Sequence, residues 1–350
     1  DKVGGNIGYA SAACGGDILF LEALLKRKGE IHIVLPFGRE TFVQESISFM
    51  PTGNWPQRFA DLSQRATEIV VASEGRFGGS GISFEYANHM LSGLACIRAD
   101  QLETDAVLVA LWDGKSGDGP GGTASMIENW KALGKQTEII NLAEILHSVS
   151  PELAPRDKAA LEVSSPSPAV EEEKTSIRSL LFADVVNFTL LGEAEIPVFV
   201  EHFLGGVARL IKTGSYSPEA RNTWGDGLYF AFQDTQAAGL FALDLRDFVR
   251  KTDWVAKGLP RGLSIRIGLH VGPVHGFVDP ITEKYTYFGG HVARTARIEP
   301  ITPPGKVYAS QAFAGFATAS GVDSFKCEYV GQTPLAKGFG VFPAYHVRRT

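Results

Sequence analysis

The alternation of apolar and polar positions divides the chain into two stretches of different character. From Asp1 to about Leu142, short apolar runs alternate with segments whose apolar residues recur at helical spacing. Gly16–Lys28 sets Ile18, Leu19, Leu21, Leu24 and Leu25 on one broad face and reads as a helix. Glu40–Phe49, Phe84–Leu102 and Thr123–Leu133 read the same way, whereas Ile31–Leu35, Glu68–Ala72, Val107–Trp112 and Thr137–Leu142 read as strands. Strand and helix in alternation predict a parallel sheet covered by helices on both faces.

The second stretch mixes its elements differently. Strands are expected over Ile177–Ala183, Ser264–Val271, near Val274–Val278, over Val307–Ala309, and as a closing pair near Tyr329–Val330 and Ala344–Val347. A hairpin is expected over Thr223–Gln233, where Gly225-Asp226-Gly227 has the composition of a tight turn. Helices are expected from about Ala194 to Ile211, over Thr235–Thr252 and from Gly290 to Ile298. This order predicts an α+β sandwich. Between the stretches, Ser148–Thr175 mixes Pro151, Pro155, Pro166 and Pro168 with serines and the acidic run Glu171-Glu-Glu173. It offers little apolar surface and reads as a linker, with room for a short helix around Asp157–Val163. The expected organisation is a first domain over 1–147, a linker over 148–175 and a second domain over 176–350.

Composition changes this picture little. At 350 residues, 44% hydrophobic and 21% charged, the chain has the make-up of two ordinary globular domains. A net charge of −6 gives no electrostatic footprint for nucleic acid or an anionic membrane. No apolar run approaches the ~20 residues that span a bilayer. Cys14, Cys96 and Cys327 lie far apart and read as buried thiols of a reducing compartment, with the cytoplasm the expected location. The chain begins at Asp1, not at a methionine, which leaves open what precedes it.

Two turns of the first stretch have the small residues that let backbone N–H groups approach an anion at a helix N-terminus. They are Ala10-Ser-Ala-Ala-Cys-Gly-Gly-Asp17 and Gly119-Pro-Gly-Gly-Thr123. The same glycines equally serve as plain β-to-α turns, and Asp17 and Glu128 equally serve as acidic complements of a helix dipole. Taken together, Ser11-Ala-Ala-Cys-Gly-Gly-Asp17, Ile33-Val-Leu-Pro36 and Pro120-Gly-Gly-Thr123 with Glu128 resemble the SLOG superfamily, the group that includes the cytokinin-activating LOG enzymes and DprA. The resemblance implies a Rossmann-like α/β domain in which Gly15, Gly16, Gly121, Gly122 and Thr123 contact a nucleotide-derived ligand. One residue of the LOG glycine region is missing before Thr123, which favours ligand sensing over nucleotide hydrolysis.

The second stretch carries the sharper chemistry. The apolar run Leu180–Ala183 delivers Asp184 at a strand end, and the hairpin places Asp226 at a ribbon tip. Two aspartates on adjacent strand ends are natural ligands for hard divalent cations, which in turn hold phosphates. Each alone also has an ordinary structural use, Asp184 as a helix cap and Asp226 as a turn residue. In the frames Phe182-Ala-Asp-Val-Val-Asn-Phe-Thr189 and Trp224-Gly-Asp226 the pair resembles the metal-binding aspartates of class III nucleotidyl cyclases. That resemblance runs from Ile177 to about Val347 and implies a ferredoxin-like α+β domain, dimeric, with active sites at the subunit interface. It implies two Mg²⁺ or Mn²⁺ ions on Asp184 and Asp226 and a nucleoside triphosphate substrate. It also implies attack of the ribose 3′-hydroxyl on the α-phosphate, with loss of pyrophosphate.

Further positions follow from the same likeness. Arg297, in Tyr287-Phe-Gly-Gly-His-Val-Ala-Arg-Thr-Ala-Arg-Ile-Glu299, falls on the arginine that meets transition-state charge. Its ordinary alternative is a surface salt bridge. Lys337, in Leu335-Ala-Lys-Gly-Phe-Gly340, falls on the lysine that grips the terminal phosphates from the partner subunit, and Phe188 and Thr189 fall where phosphate is cradled. Departures concern the ribose and the base. Ala293 replaces the asparagine that orients the ribose, and Asn222 and Thr286 stand at the base-reading positions, matching neither the adenine pair nor the guanine pair. The readings that result are a cyclase of open base specificity under an N-terminal nucleotide-ligand sensor or, alternatively, a weak or inactive nucleotide-binding relative. His270, His275 and His291 lack metal-ligand spacing and read as packing residues before phosphate-proximal ones, and Trp224 reads as core before base-stacking platform.

Overall fold

The computed structural model describes residues 3–78, 81–115, 119, 121–149, 174–338 and 340–350. Most of the expected linker, including the short helix over Asp157–Val163, lies outside the described residues. The chain divides into two compact units, Asp1–Glu173 and Lys174–Thr350.

In the first unit the order is β1 (Ile7–Ala10), α1 (Gly16–Lys26), β2 (Glu30–Leu35), α2 (Arg39–Phe42), α3 (Trp55–Arg65), β3 (Glu68–Val71), α4 (Ile82–Gln101), β4 (Leu108–Trp112), α5 (Thr123–Ala132), β5 (Thr137–Asn141) and α6 (Leu142–Val149). β1 and β3 flank β2 in a parallel sheet, and β4 pairs with β5, also parallel. The parallel pairing meets the expectation from alternating elements. β2 is buried on both sides from Ile31 to Leu35, as a strand covered twice must be. Ile31, Ile33 and Leu35 meet Ile18 and Leu21 of α1 in one core with Phe37, Phe42 and Phe59. Sequence pattern missed β1, α3 and α6, and the helix expected over Glu40–Phe49 is α2 continued by a wide turn at Val43–Ile47.

The second unit runs β6 (Lys174–Val186), α7 (Glu195–Phe199), α8 (Gly205–Thr213), β7 (Ala220–Trp224), β8 (Gly227–Phe232), α9 (Thr235–Lys251), β9 (Ser264–Val278), β10 (Tyr285–Phe288), α10 (Gly290–Ile298), β11 (Val307–Ser310), α11 (Gln311–Ala319), β12 (Phe325–Pro334) and β13 (Val341–Arg349). One sheet is formed in the order β12-β13-β11-β9-β6-β8-β7, with β10 paired to β9. Within it β6, α7–α8, β7, β8, α9 and β9 make a βαββαβ unit with antiparallel strands in the order β9-β6-β8-β7, the ferredoxin-like layout. Two sequence expectations need correction. Ser264–Val271 and Val274–Val278 are one strand of 15 residues, because Gly272-Pro273 continues the ladder with β6 without a break. The helix expected over Ala194–Ile211 is α7 and α8 joined by a wide turn at Val200–Leu204.

Period-two alternation gives this sheet two unlike faces. Leu181, Ala183 and Val185 of β6 share a face with Phe230 and Phe232 of β8, and Phe241 of α9 packs its ring edge-on against Phe230 at 4.9 Å. α9 starts sharply because Asp234 accepts from the Ala237 N–H at 2.7 Å. The opposite face carries Leu180, Phe182 and Asp184, and α10 lies along it. Among the described residues no helix is long and apolar enough to cross a membrane.

Candidate functional site

Asp184 stands near the end of β6, directly across the ladder from Arg266 of β9. The Arg266 Nη2 donates to Asp184 Oδ2 at 2.8 Å, and its Nε lies 3.1 Å from Glu299 Oε1. Asp184 is therefore a strand residue with a cationic neighbour and caps no helix. Asp226 occupies the two-residue turn between β7 and β8, where Trp224 pairs with Gly227. Gly225 supplies the positive φ of +65° that such a turn demands at its first position.

The turn folds Asp226 back toward Asp184. Burial pushes the Asp226 carboxyl above its usual range, and the neighbouring Asp184 carboxylate adds to the push. Burial also raises Glu299 to about 7, reinforced by Asp184 and opposed by Arg266. Three carboxylates thus share the influence of one guanidinium. Sequence reasoning missed Arg266 and Glu299, because only the β6–β9 register reveals that residue 266 faces residue 184.

Glu299 reaches this cluster because α10 lies unusually close to β9. A Cβ on Gly268 would fall 2.6 Å from the Glu299 amide nitrogen, so no residue with a side chain fits there. Between these points His270 Nε2 and His291 Nδ1 are 2.9 Å apart, and His270 Nδ1 lies 2.6 Å from Ser310 Oγ. The two histidines are buried packing residues, as expected, but they pack through a polar link. Burial drives both imidazoles to the neutral form, and holds His291 at about 3.

Arg297 sits in the last turn of α10, and its Nε is buried without a hydrogen-bond partner among the described residues. The alternative of a surface salt bridge finds no support there. Phe188 and Thr189 lie in the short turn Phe188–Leu190 that follows β6. The Phe188 ring packs edge-on against Phe199, while Thr189 is exposed. Lys337 belongs to the turn Ala336–Gly338 between β12 and β13, and its side chain falls outside what the structure describes.

Asn222 of β7 and Thr286 of β10 are both half-buried, on strands that approach one another. Beside them the Tyr287 hydroxyl donates to Glu219 Oε2 at 2.5 Å, and Arg178 Nε donates to the same oxygen. Trp224 is 58% exposed, which overturns its reading as core. Its ring lies nearly parallel to Phe182, with centroids 6.4 Å apart, and Tyr229 sits beneath with a buried hydroxyl that has no partner among the described residues.

In the first unit Gly15 precedes α1 at a φ of +95°, and Gly16 abuts Leu111 of β4. Asp17 turns inward under this loop, where the Ala13 N–H donates to it at 3.3 Å. Burial nevertheless raises its carboxyl. Gly121, Gly122 and Thr123 lead into α5, and Asn88 of α4 donates to the Gly121 carbonyl at 2.8 Å. Glu128 is exposed, and Pro120 lies outside the described residues.

Comparison with known proteins bears on the second unit. A family model described as "Adenylate and Guanylate cyclase catalytic domain" matches residues 170–347. An adenylate cyclase of Mycosarcoma maydis is 29% identical over 154 residues, covering 38% of this chain and 6% of that protein. Guanylate cyclase 2G of Mus musculus is 30% identical over 165 residues, covering 44% of this chain and 15% of that protein. The chain therefore spans less than a fifth of either relative. Among solved structures, the guanylate cyclase domain of RhGC from Catenaria anguillulae in complex with GTP is 19% identical, with a TM-score of 0.44. The match covers 50% of this chain and 98% of that one.

Proposed function

The chain belongs to the adenylate and guanylate cyclase catalytic domain family, and from that premise we propose that it converts a nucleoside triphosphate to the 3′,5′-cyclic nucleotide and pyrophosphate. The observation that carries the reading is the convergence of Asp184 and Asp226 on one face of the sheet. Two crowded carboxylates, one of them pushed toward protonation by burial and then by its neighbour, are a donor set suited to hard divalent cations. Asp184 and Asp226 would hold two Mg²⁺ or Mn²⁺ ions. Such ions lower the pKa of an attacking hydroxyl and neutralise phosphate charge.

The remaining roles fall to the chain's own groups. The Phe188 backbone and the Thr189 hydroxyl receive phosphate beside Asp184. Arg297, with its unpaired Nε, is the cation for charge developing on the α-phosphate. Lys337 meets the terminal phosphates. Arg297 and Lys337 act across the interface of a homodimer. Asn222 and Thr286 face the base with neutral hydrogen-bonding groups, which leaves the base open. The first unit regulates turnover by binding a nucleotide-derived ligand at Gly15, Gly16, Gly121, Gly122 and Thr123.

A second reading, nucleotide binding with little or no turnover, is favoured by Ala293, which removes the ribose contact. One experiment separates the two. The protein is incubated with ATP, GTP, CTP and UTP separately, with Mn²⁺ and with Mg²⁺, and products are read by mass spectrometry. A cyclic nucleotide that disappears in the Asp184→Ala/Asp226→Ala variant is the expected result. Four blanks from dimeric protein, with metal-dependent NTP binding by calorimetry, would establish the second reading.

A further inference from the structure

Three polar side chains close a triangle beside Asn222 and Thr286. Arg178 of β6 donates through Nε to Glu219 Oε2 at 2.5 Å and to the Tyr287 hydroxyl at 3.0 Å. The Tyr287 hydroxyl donates to the same Glu219 oxygen at 2.5 Å, and the guanidinium carbon lies 5.5 Å from the centre of the Tyr287 ring. Each member thus touches the other two. Burial and the bond to Glu219 hold the Tyr287 phenol above its ordinary value, which keeps it a donor. The ring itself is fixed. It is buried with Leu180, Ala220, Ala231 and Val274, and it lies over Gly276, where a Cβ would fall 2.9 Å from Tyr287 Cε1. Glu219 directly precedes β7 and stands three residues before Asn222, while Tyr287 directly follows Thr286.

Among the described residues β7 pairs only with β8 and β10 only with β9, so no backbone ladder sets the distance between β7 and β10. A side-chain hydrogen bond spans the gap instead, from Tyr287 to Glu219, and Arg178 braces it. We infer that Arg178, Glu219 and Tyr287 are positioning residues that set base selectivity, by holding Asn222 and Thr286 at one spacing. The inference rests on the reading of those two as the groups that face the base and goes beyond it. An amide and a hydroxyl can each donate and accept, so their chemistry alone accommodates any base. Spacing must then discriminate, because a base whose edge does not fit leaves a polar group unpaired. Such discrimination needs supports that hold the contacting groups to about 0.5 Å. The Arg178 and Glu219 side chains are 20% and 33% exposed, and a charge-assisted network partly withdrawn from water is such a support.

Selectivity, not affinity, decides the matter. The 3′-deoxy forms of ATP, GTP, CTP and UTP, which lack the attacking hydroxyl, are titrated into the full chain with Mn²⁺ by calorimetry. The quantity read is the ratio of Kd between the weakest and the tightest base. Thermal unfolding verifies that each variant is folded. Tyr287→Phe keeps the ring and is expected to bring that ratio about tenfold closer to one, the effect of losing a hydrogen bond to a charged group. Glu219→Ala is expected to do the same, and Glu219→Gln to recover most of the ratio, since its amide oxygen still accepts. Tyr229→Phe is the control. It removes a phenol hydroxyl from the same apolar cluster, but one with no partner among the described residues, and the ratio should not change. Equal weakening of all four bases in Tyr287→Phe, or an equal change of ratio in Tyr229→Phe, would overturn the inference and leave the triangle a packing feature. A wild-type chain that binds all four alike would overturn it too. Binding that is lost for every base in Asp184→Ala/Asp226→Ala keeps the nucleotide site separate from those outcomes. A wild-type chain that binds none removes the nucleotide reading, and the inference with it.

Discussion

On β6, Leu181, Ala183 and Val185 point into a face closed by helices, while Leu180, Phe182 and Asp184 point to a face that α10 and β10 cover only in part. On β8, Phe230 and Phe232 take the closed side and Tyr229 the open one. The closed side is dry and aromatic: Phe230, Phe232 and Phe241 are each 2% exposed or less. The open side carries Asp184, Arg266, His270, Asn222 and Trp224, groups that burial would penalise without partners. Alternation alone thus gives one strand a packed apolar face and a face that carries polar and charged groups. The difference teaches that a residue's parity along the strand, more than its distance from the site, decides which of the two a substitution disturbs.

The largest effect is expected on the closed side. Phe241 meets Phe230, Phe232 and Tyr216 at centroid distances of 4.9, 5.4 and 5.3 Å. Phe241→Ala is expected to cost about 3–5 kcal/mol of unfolding free energy, measured by urea titration. Mn²⁺ affinity of the folded protein should be unaffected. A change in that affinity comparable to the stability loss would break the comparison, since it would mean that the two faces are energetically one.

A smaller effect is expected where the closed side meets the sheet edge. Asp247 of α9 accepts from Arg246 at 2.7 Å and from Arg349 of β13 at 3.3 Å. Burial works against its ionisation, but the hydrogen bonds and charges of Arg246 and Arg349 prevail and hold its carboxyl below the usual range. A depressed carboxyl contributes stability that is present in full above the unfolded pKa of about 3.9 and is lost as pH falls through the folded value. Asp247→Asn is expected to cost about 1.5–3 kcal/mol at pH 7. The difference from wild type should shrink below about pH 4, where both carboxyl states converge. Equal losses at pH 3 and pH 7 would show that packing, not charge, ties α9 to β13.

The elements that sequence revealed best are those whose signal is local. The apolar run before Asp184, the glycine-bounded turn at Asp226 and the helix at Gly290–Ile298 were all legible, because period and turn chemistry act over a few residues. The parallel pairing of β1, β2 and β3 was legible from alternation, although β1 itself, four residues long, gave too short a pattern. Arg266 and Glu299 were not legible, since their meaning lies in a register between strands 82 residues apart in sequence. The continuity of β9 through Gly272-Pro273 was hidden by residues that usually end a strand. Pro273 is tolerated within the ladder that pairs it with Ile177, a context that local propensity does not express. Trp224 was misread because apolarity was taken to mean burial, whereas a large aromatic residue at a ribbon end can stand in solvent.

Trp224 gives the sharpest small test of the open side. It stands two residues from Asp226, and Phe182 stands two residues from Asp184, so both rings border the acidic pair. An indole that is 58% exposed contributes little to the core, and Trp224→Ala should leave the unfolding free energy within about 0.5 kcal/mol of wild type. A base stacked on an aromatic ring is held by about 1–3 kcal/mol, so loss of the indole is expected to raise KM for the nucleotide roughly tenfold with kcat little changed. Trp224→Phe should recover most of the difference, because a smaller ring still offers a stacking face. A fall in kcat with KM unchanged would place the indole against transition-state charge instead. Loss of dimer in place of either kinetic change would assign it to contact with a second chain. In both cases the parity rule survives, since position 224 would still act through chemistry or assembly on the open side and not through the core.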